Sequence, residues 1–502
     1  VNLHRLRRIH IPILAGLLLW PAAVFAQPAS SPGQSEKVLD LSVEEVVLLV
    51  LQNNRDIRVQ QLNPVIAGSF VLLERGEFDP EVFAELQYSE ERATEIARST
   101  GTQFDVDGHE SSAVVGLRQF LPTGTNLEAT VEQSRDISNR SPEQQVARVG
   151  LTVTQALLQG FGPAVNLAAV RQAELGTAAS LFELRGFTEA LSAEAETAYW
   201  NYVLARDQIA IFESSLAVAR EQRDETELRI EVGLLPEVEA AAARAEVARR
   251  EQALIAARSL LEERRLRLLR LINTGPGGSL DQQINAVSNP RMETAPLTDL
   301  DQRLQLAEKL RPDLNEARLQ LQQRRLETVV TRNGLLPRLD FFITLGKTGY
   351  ANTFTESFRN LDGNTYDLLV GLRLSRPIGN QTARARDLAA GASRLQAEEA
   401  VANLCQLVRL DVRLAANELE RARQEITASA VTRKLQEETL AAEQERFEVG
   451  TSTSLLVSQA QRDLLVSQIA EVEAIVNYRI ALVNLFLAEG TLLERRGIQL
   501  GP

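Results

Sequence analysis

Arg229-Ile230-Glu231-Val232-Gly233 recurs 217 residues later as Arg446-Phe447-Glu448-Val449-Gly450. A second matched pair lies upstream of each. Arg55-Asp56-Ile57 is followed by Asp79-Pro80, and Arg311-Pro312-Asp313-Leu314 is followed by Leu336-Pro337. Asp56 maps to Asp313 and Pro80 to Pro337, both at an offset of 257. Two landmark sets in the same order in both halves mean an internal duplication. Each half is then one structural unit, and the two units build one object.

Proline usage places the helices. No Pro lies between Pro163 and Pro236, and none between Pro377 and Pro502. Within the second gap Val401, Leu404, Val408, Val412, Ala415, Leu419, Ala422 and Ile426 step by three or four, a near-heptad stripe. Leu191, Ala195, Ala198, Tyr202, Ala205 and Ile209 repeat that spacing in the first gap. Each gap reads as one helix of roughly 70 residues, about 100 Å long at 1.5 Å per residue. Shorter helices are expected from Ser42 to about Arg75 and from about Glu237 to Ile272, with counterparts starting near Asp299 and Leu455. Ser42…Glu45 and Asp299…Gln302 both have the spacing of a capping box. Two short helices end to end match one long one, so each half is expected to be a strut with Gly233 and Gly450 at its turns. Glycine supplies the positive φ that a tight helix reversal requires.

Strands fall between the first short helix and the long helix of each half. Leu368, Val370, Leu372 and Leu374 alternate with Leu369, Gly371, Arg373 and Ser375. Val149, Leu151 and Val153 alternate with Gly150, Thr152 and Thr154, and Leu339, Phe341, Ile343 and Leu345 form a third run. Segments of about 8–10 residues with one apolar face suit a membrane barrel with lipid outside and water inside. They also suit a half-buried strand in a soluble sheet. The first half carries an extra hairpin, Ala113 to Phe120 and Asn126 to Glu132, around Pro122-Thr123-Gly124. Four strands in the first half and two in the second keep all helices on one side of a membrane.

Composition agrees with long helices rather than a large globular core. Among 502 residues aromatics are 5%, there is one Met, and the formal charge is −13. An acidic balance argues against nucleic acid as a partner. Arg5, Arg7 and Arg8, the short apolar run Ile11 to Trp20, and Val24-Phe25-Ala26 read as a cleavable signal peptide. These features divide the chain into a signal peptide (1–26), a flexible N-terminal segment (27–38) and a first repeat (39–273) with strands about 81–156 and a turn at 233. An inter-repeat linker (274–296), a second repeat (297–490) with strands about 339–376 and a turn at 450, and a C-terminal tail (491–502) follow. Thr274-Gly275-Pro276-Gly277-Gly278 lacks the Gly-Lys-Ser/Thr of a phosphate loop.

The duplication, the paired Val-Gly turns and the strand–long-helix order resemble the TolC-type outer-membrane efflux factors. Leu310-Arg311-Pro312-Asp313-Leu314, Gly334-Leu335-Leu336-Pro337-Arg338-Leu339 and Val149-Gly150-Leu151-Thr152-Val153-Thr154-Gln155 are typical of that family, and the resemblance runs from about Leu39 to Gly490. It implies an α+β membrane protein: duplicated helical hairpins form a periplasmic α-barrel, and the strands join a shared outer-membrane β-barrel in a homotrimer. It also implies a periplasmic adaptor and an inner-membrane transporter as partners, the outer-membrane lipid as surroundings, and no cofactor. One protomer's strands are too few to close a water-filled barrel, which agrees with a trimer.

The resemblance puts adaptor docking at Val232, Gly233 and Leu234 and at Val449, Gly450 and Thr451. The plainer account is that the glycines only make the turn. It puts the periplasmic aperture just after the second turn, where this chain has Leu456 and Gln459 in place of the family's acids. Glu237 and Glu239 after the first turn are the acidic candidates, or simply acids at a helix N-terminus. Cys405 sits on the helical stripe and reads as packing. No His/Cys/acid group has metal-ligand spacing, and after residue 26 the only histidine is His109, so no enzyme is expected. A passive exit duct is the leading reading. A periplasmic coiled-coil adaptor or scaffold without a barrel is the alternative, and it should show one helical hairpin and no membrane-type strands.

Overall fold

The computed structural model describes residues 38–96, 99–272, 280–291 and 294–499. The expected signal peptide, the N-terminal segment up to residue 37, and residues 274–279 of the linker lie outside them. The first repeat opens with β1 (Leu39–Leu41), α1 (Val43–Asn53), α2 (Arg55–Gln60) and α3 (Leu62–Arg75). Four strands follow: β2 (Glu81–Ile96), β3 (Gln103–Leu121), β4 (Thr125–Ser138) and β5 (Ser141–Ala156). The short α4 (Pro163–Asn166) leads into the long α5 (Ala168–Glu231), and α6 (Val238–Ile272) returns. After β6 (Ile284–Ala286), the second repeat runs α7 (Leu300–Leu310), α8 (Pro312–Gly334), β7 (Arg338–Ala351), α9 (Phe354–Arg359), β8 (Tyr366–Ser375), α10 (Gln381–Glu448), α11 (Ser454–Glu489) and α12 (Leu492–Arg495).

The long helices α5 and α10 have 64 and 68 residues. At 1.5 Å per residue each is roughly 100 Å long. Each lies beside two shorter helices, α5 against α3 and α6 and α10 against α8 and α11. The strut expected from proline spacing is therefore present twice. The stripe Val408, Val412, Ala416, Leu419 and Ala422 is buried against Tyr478, Ala481 and Leu485 of α11. Ala416 rather than Ala415 takes the fully buried place; the apolar stripe drifts slowly around the helix because 3.6 residues per turn do not divide seven.

The expected single helix from Ser42 to Arg75 is broken. Asn54 is extended (φ −62°, ψ 131°), and its side chain accepts the Asp56 N–H at 2.7 Å. The second repeat breaks at the matching residue, Arg311, which precedes Pro312; proline disfavours the helical conformation of the residue before it. Ser42 forms the capping box with Glu45, whereas Asp299 makes no side-chain cap. A parallel pairing of β1 with β6, absent from the sequence reading, puts a strand inside the linker. It seats Leu41, Ile284 and Ala286 in the main core beside Tyr199, Trp200 and Val476. Tyr199 and Tyr202 donate from their hydroxyls to the carbonyls of Leu41 and Ile284, at 3.0 and 2.6 Å. The residues expected to form the C-terminal tail include α12, whose Leu492 and Leu493 are buried.

The six longer strands form one antiparallel sheet in the order β2-β3-β4-β5-β7-β8, so the first repeat gives four and the second two. The extra hairpin belongs to this sheet. Five of the six strands are longer than the 8–10 residues expected, from 14 in β4 and β7 to 19 in β3, and β8 has 10. Ladder bonding continues past the apolar middle of each strand into polar ends, where Arg140 pairs with Glu91 and Arg135 with Glu143 at 2.5 and 2.6 Å. Both repeats use one device on the face opposite the apolar band. Phe83 lies over Gly116 with Arg118 above its ring, and Phe342 lies over Gly371 with Arg373 above its ring. A Cβ on either glycine would collide with the ring, so the glycine is what admits the aromatic.

Candidate functional site

The ends of the two long helices are the candidate site. Gly233 and Gly450 have φ +75° and +76°, with open space where a Cβ would stand. Their hydrogen bonds correspond one to one. Gly233 N–H donates to Ile230 O (2.9 Å) and Leu234 N–H to Arg229 O (2.8 Å). Gly450 N–H donates to Phe447 O (3.1 Å) and Thr451 N–H to Arg446 O (2.8 Å). This is the Schellman arrangement, which satisfies the last helix carbonyls through a left-handed residue. The recurring pentapeptide is thus one turn made twice, and each turn leaves apolar side chains uncovered. Val232, Leu234 and Val449 are 61%, 74% and 75% exposed.

The structure brings the two tips together through contacts that the repeat does not announce. The Arg229 guanidinium of the first repeat stacks on the Phe447 ring of the second, 4.9 Å from its centroid. The Ser454 hydroxyl donates to the Glu239 carboxylate. Deeper in the bundle Gln461 donates to Gln222 at 2.8 Å, and Arg462 pairs with Glu246 at 3.2 Å. Glu239 is therefore held inside the protomer. Glu237, Leu456 and Gln459 remain exposed beside the turns. The signal for this clasp lay at positions where the repeats differ: Phe447 stands where the first repeat has Ile230, and Ser454 where it has Glu237.

The upstream landmarks lie at mid-height. Asp313 pairs with Arg311 at 2.6 Å. Asp56 lines an open cleft of about 1510 Å³ with Glu194, Arg264 and Arg267. Around them Glu189, Glu196 and Glu489 are buried against arginines. Arg496 reaches Glu196 through two bonds of 2.7 and 2.5 Å, and Arg303 reaches Glu489 at 2.5 Å. Burial pushes the Glu189 carboxyl up to about 7, although Arg185 at 3.1 Å pulls it down. Cys405 is half-buried on α10. Among the described residues no group of His, Cys, Asp and Glu could hold a metal ion, and no helix is long and apolar enough to cross a membrane.

Residues 303–491 match the family model described as outer membrane efflux protein. The match falls on the second repeat, which is similar to that family. The fold of the chain is similar to that of solved outer-membrane channels over most of its length. Against the outer-membrane channel OprN the TM-score is 0.67 at 17% identity, covering 89% of this chain and 90% of that one. Against the CmeC outer membrane channel of Campylobacter jejuni it is 0.66 at 16% identity, covering 90% and 86%. Against a membrane protein from Pseudomonas aeruginosa it is 0.66 at 21% identity, covering 93% and 99%. No curated protein matches the chain.

Proposed function

We propose that this outer-membrane efflux channel is a passive exit duct built from three copies, loaded at its periplasmic tips by an adaptor that couples it to an inner-membrane transporter. The observation that carries the reading is the pair of identical Schellman turns, each presenting uncovered apolar residues at the end of a roughly 100 Å strut. The duct performs no chemistry and takes its driving energy from the transporter. Val232, Gly233 and Leu234, with Val449, Gly450 and Thr451, form the docking surface, repeated six times around a trimer. Gly450→Asp keeps a residue type that tolerates the left-handed conformation, in open space, so the fold survives. It should abolish efflux while the trimer still assembles in the outer membrane; efflux at the wild-type level would overturn the docking assignment.

The aperture lies beside these turns. Glu237, exposed and free of the Ser454 contact that holds Glu239, supplies a threefold ring of negative charge that favours cations. Leu456 and Gln459 line the same opening without charge. Glu237→Gln should lower the cation preference of single channels in planar bilayers, whereas Glu239→Gln should leave it in place. Equal selectivity in Glu237→Gln and the wild type would remove Glu237 from the aperture. The alternative of a barrel-free adaptor is disfavoured by the six-stranded sheet, which carries an uncovered apolar face.

A further inference from the structure

The sheet has two unpaired edges, β2 and β8, and its apolar face runs from one to the other. Along one row of directly paired residues stand Val82, Leu117, Ala129, Leu151, Leu345 and Leu368. The extra strands of the first repeat therefore carry the same lipid-type face as the rest. Val82 and Leu86 on β2 are 73% and 85% exposed, as expected of side chains that face lipid rather than a protein core.

The apolar band does not follow that row across the sheet. On β2 it covers Val82 to Tyr88, and on β8 it covers Tyr366 to Leu374. Val370, the middle of the β8 band, pairs with Ile343 and lies one row on the helical side of the Val82–Leu368 row. The middle of the β2 band, between Ala84 and Leu86, lies one to two rows on the other side. The drift is about two and a half rows, or ~17 Å at ~3.3 Å per residue, over five strand spacings of ~4.8 Å. A band that must lie level in a bilayer then requires strands tilted by about 35°, within the range of closed membrane barrels.

We infer that β2 of one copy pairs antiparallel with β8 of the next, closing an eighteen-stranded barrel from three six-stranded sheets. The inference rests on the trimer proposed above. Three observations converge on it. The six strands alternate in direction, so the two free edges meet antiparallel. The band is level across the junction when Val370 stands opposite Ala84 or Leu86. The circumference also fits. Eighteen strands at ~4.8 Å and ~35° give about 105 Å. Each copy supplies four helical columns: α5, α10, α3 above α6, and α8 above α11. Twelve columns at 8–10 Å span about 96–120 Å. Four strands per copy would give only about 70 Å. The additional strands thus make the membrane section as wide as the helical tube.

The test places cysteine pairs in a Cys405→Ala background. Ala84→Cys with Val370→Cys, and Leu86→Cys with Val370→Cys, are oxidised mildly in intact outer membranes and run without reductant. Within one copy these positions lie on opposite edges, so only an intersubunit bond can form. One of the two pairs should give a covalent trimer. A cross-link from Ala129→Cys with Val370→Cys instead would mean that β2 and β3 stand outside the ring, and would overturn the eighteen-stranded barrel while leaving the trimer intact. A trimer by native mass with no cross-link from any pair would overturn it as well. A native mass other than a trimer would overturn the oligomeric reading and the barrel with it.

Discussion

The two repeats make the same backbone turns and hold them with different side chains. At the helix break of the first repeat the Asn54 amide donates to the carbonyl of Leu271, at 3.2 Å. At the matching break Arg311 donates to the carbonyl of Ala488, the residue equivalent to Leu271, at 3.5 Å. At the tips both halves use Gly, but the helix that follows restarts from Pro236 in one and from Thr453 in the other. The Thr453 hydroxyl accepts the Leu456 N–H. What is repeated makes the turn. What differs joins one half to the other, as the Arg229–Phe447 stack and the Ser454–Glu239 bond do. Contacts such as these pair unlike residues at equivalent or neighbouring positions, so they exist only because the halves have diverged there.

Making the halves more alike is a way to break the comparison. Glu189 is buried on α5, and the equivalent place on α10 is Gln406, which is exposed. Its carboxyl titrates at about 7 in the folded chain, against an ordinary value of 4.5. The folded state therefore holds a proton that the unfolded state has released. Stability from this group is complete below pH 4.5 and is lost as pH rises through 7. Glu189→Gln should flatten the fall in melting temperature between pH 4.5 and 8 and stabilise the protein at pH 8 by up to about 3 kcal/mol. An unchanged pH profile would show that Glu189 is ionised throughout.

The glycines sharpen the comparison further. Gly490 ends α11 at φ +68°, and a Cβ there would meet the backbone of Leu310 and Arg311 at 3.1 Å. Gly450 has the same backbone with open space around it. Gly490→Ala should cost about 2–3 kcal/mol in urea or thermal melting, from left-handed strain plus crowding, and Gly450→Ala only about 1 kcal/mol. Equal costs would mean that the Gly490 contact yields without penalty. The smallest effect belongs to the caps. Thr453→Ala should lose about 1 kcal/mol and Pro236→Ala almost nothing, because only threonine supplies an oxygen to the following turn.

Much of the fold is legible in the chain, and the reasons are local. The proline-free stretches and the near-heptad stripes put both long helices within a few residues of their observed ends. The pentapeptide places both turns, since a positive φ after a helix is a property of glycine itself. Alternation finds β5, β7 and β8, the extra hairpin corresponds to β3 and β4, and β2 follows only from the expected count of four strands in the first repeat. The breaks at Asn54 and Arg311 were only half visible, because Pro312 announces one and nothing comparable announces the other. The pairing of β1 with β6 was not legible: three residues on each side carry no period, and it exists because Tyr199 and Tyr202 hold the two strands against the core. Of the candidate site, Gly233 and Gly450 were readable and the clasp between the tips was not.

Sequence alone determined the duplication, the long helices, the tip turns and the strand count, because each depends on residues close together in the chain. Only the tertiary structure decided which tip residues are committed inside the protomer and which stay exposed. Glu237 and Glu239 are two residues apart and alike in charge, yet Glu239 accepts from Ser454, 215 residues away, while Glu237 remains at the surface. Packing of one half against the other sets that difference, and no spacing within either half encodes it.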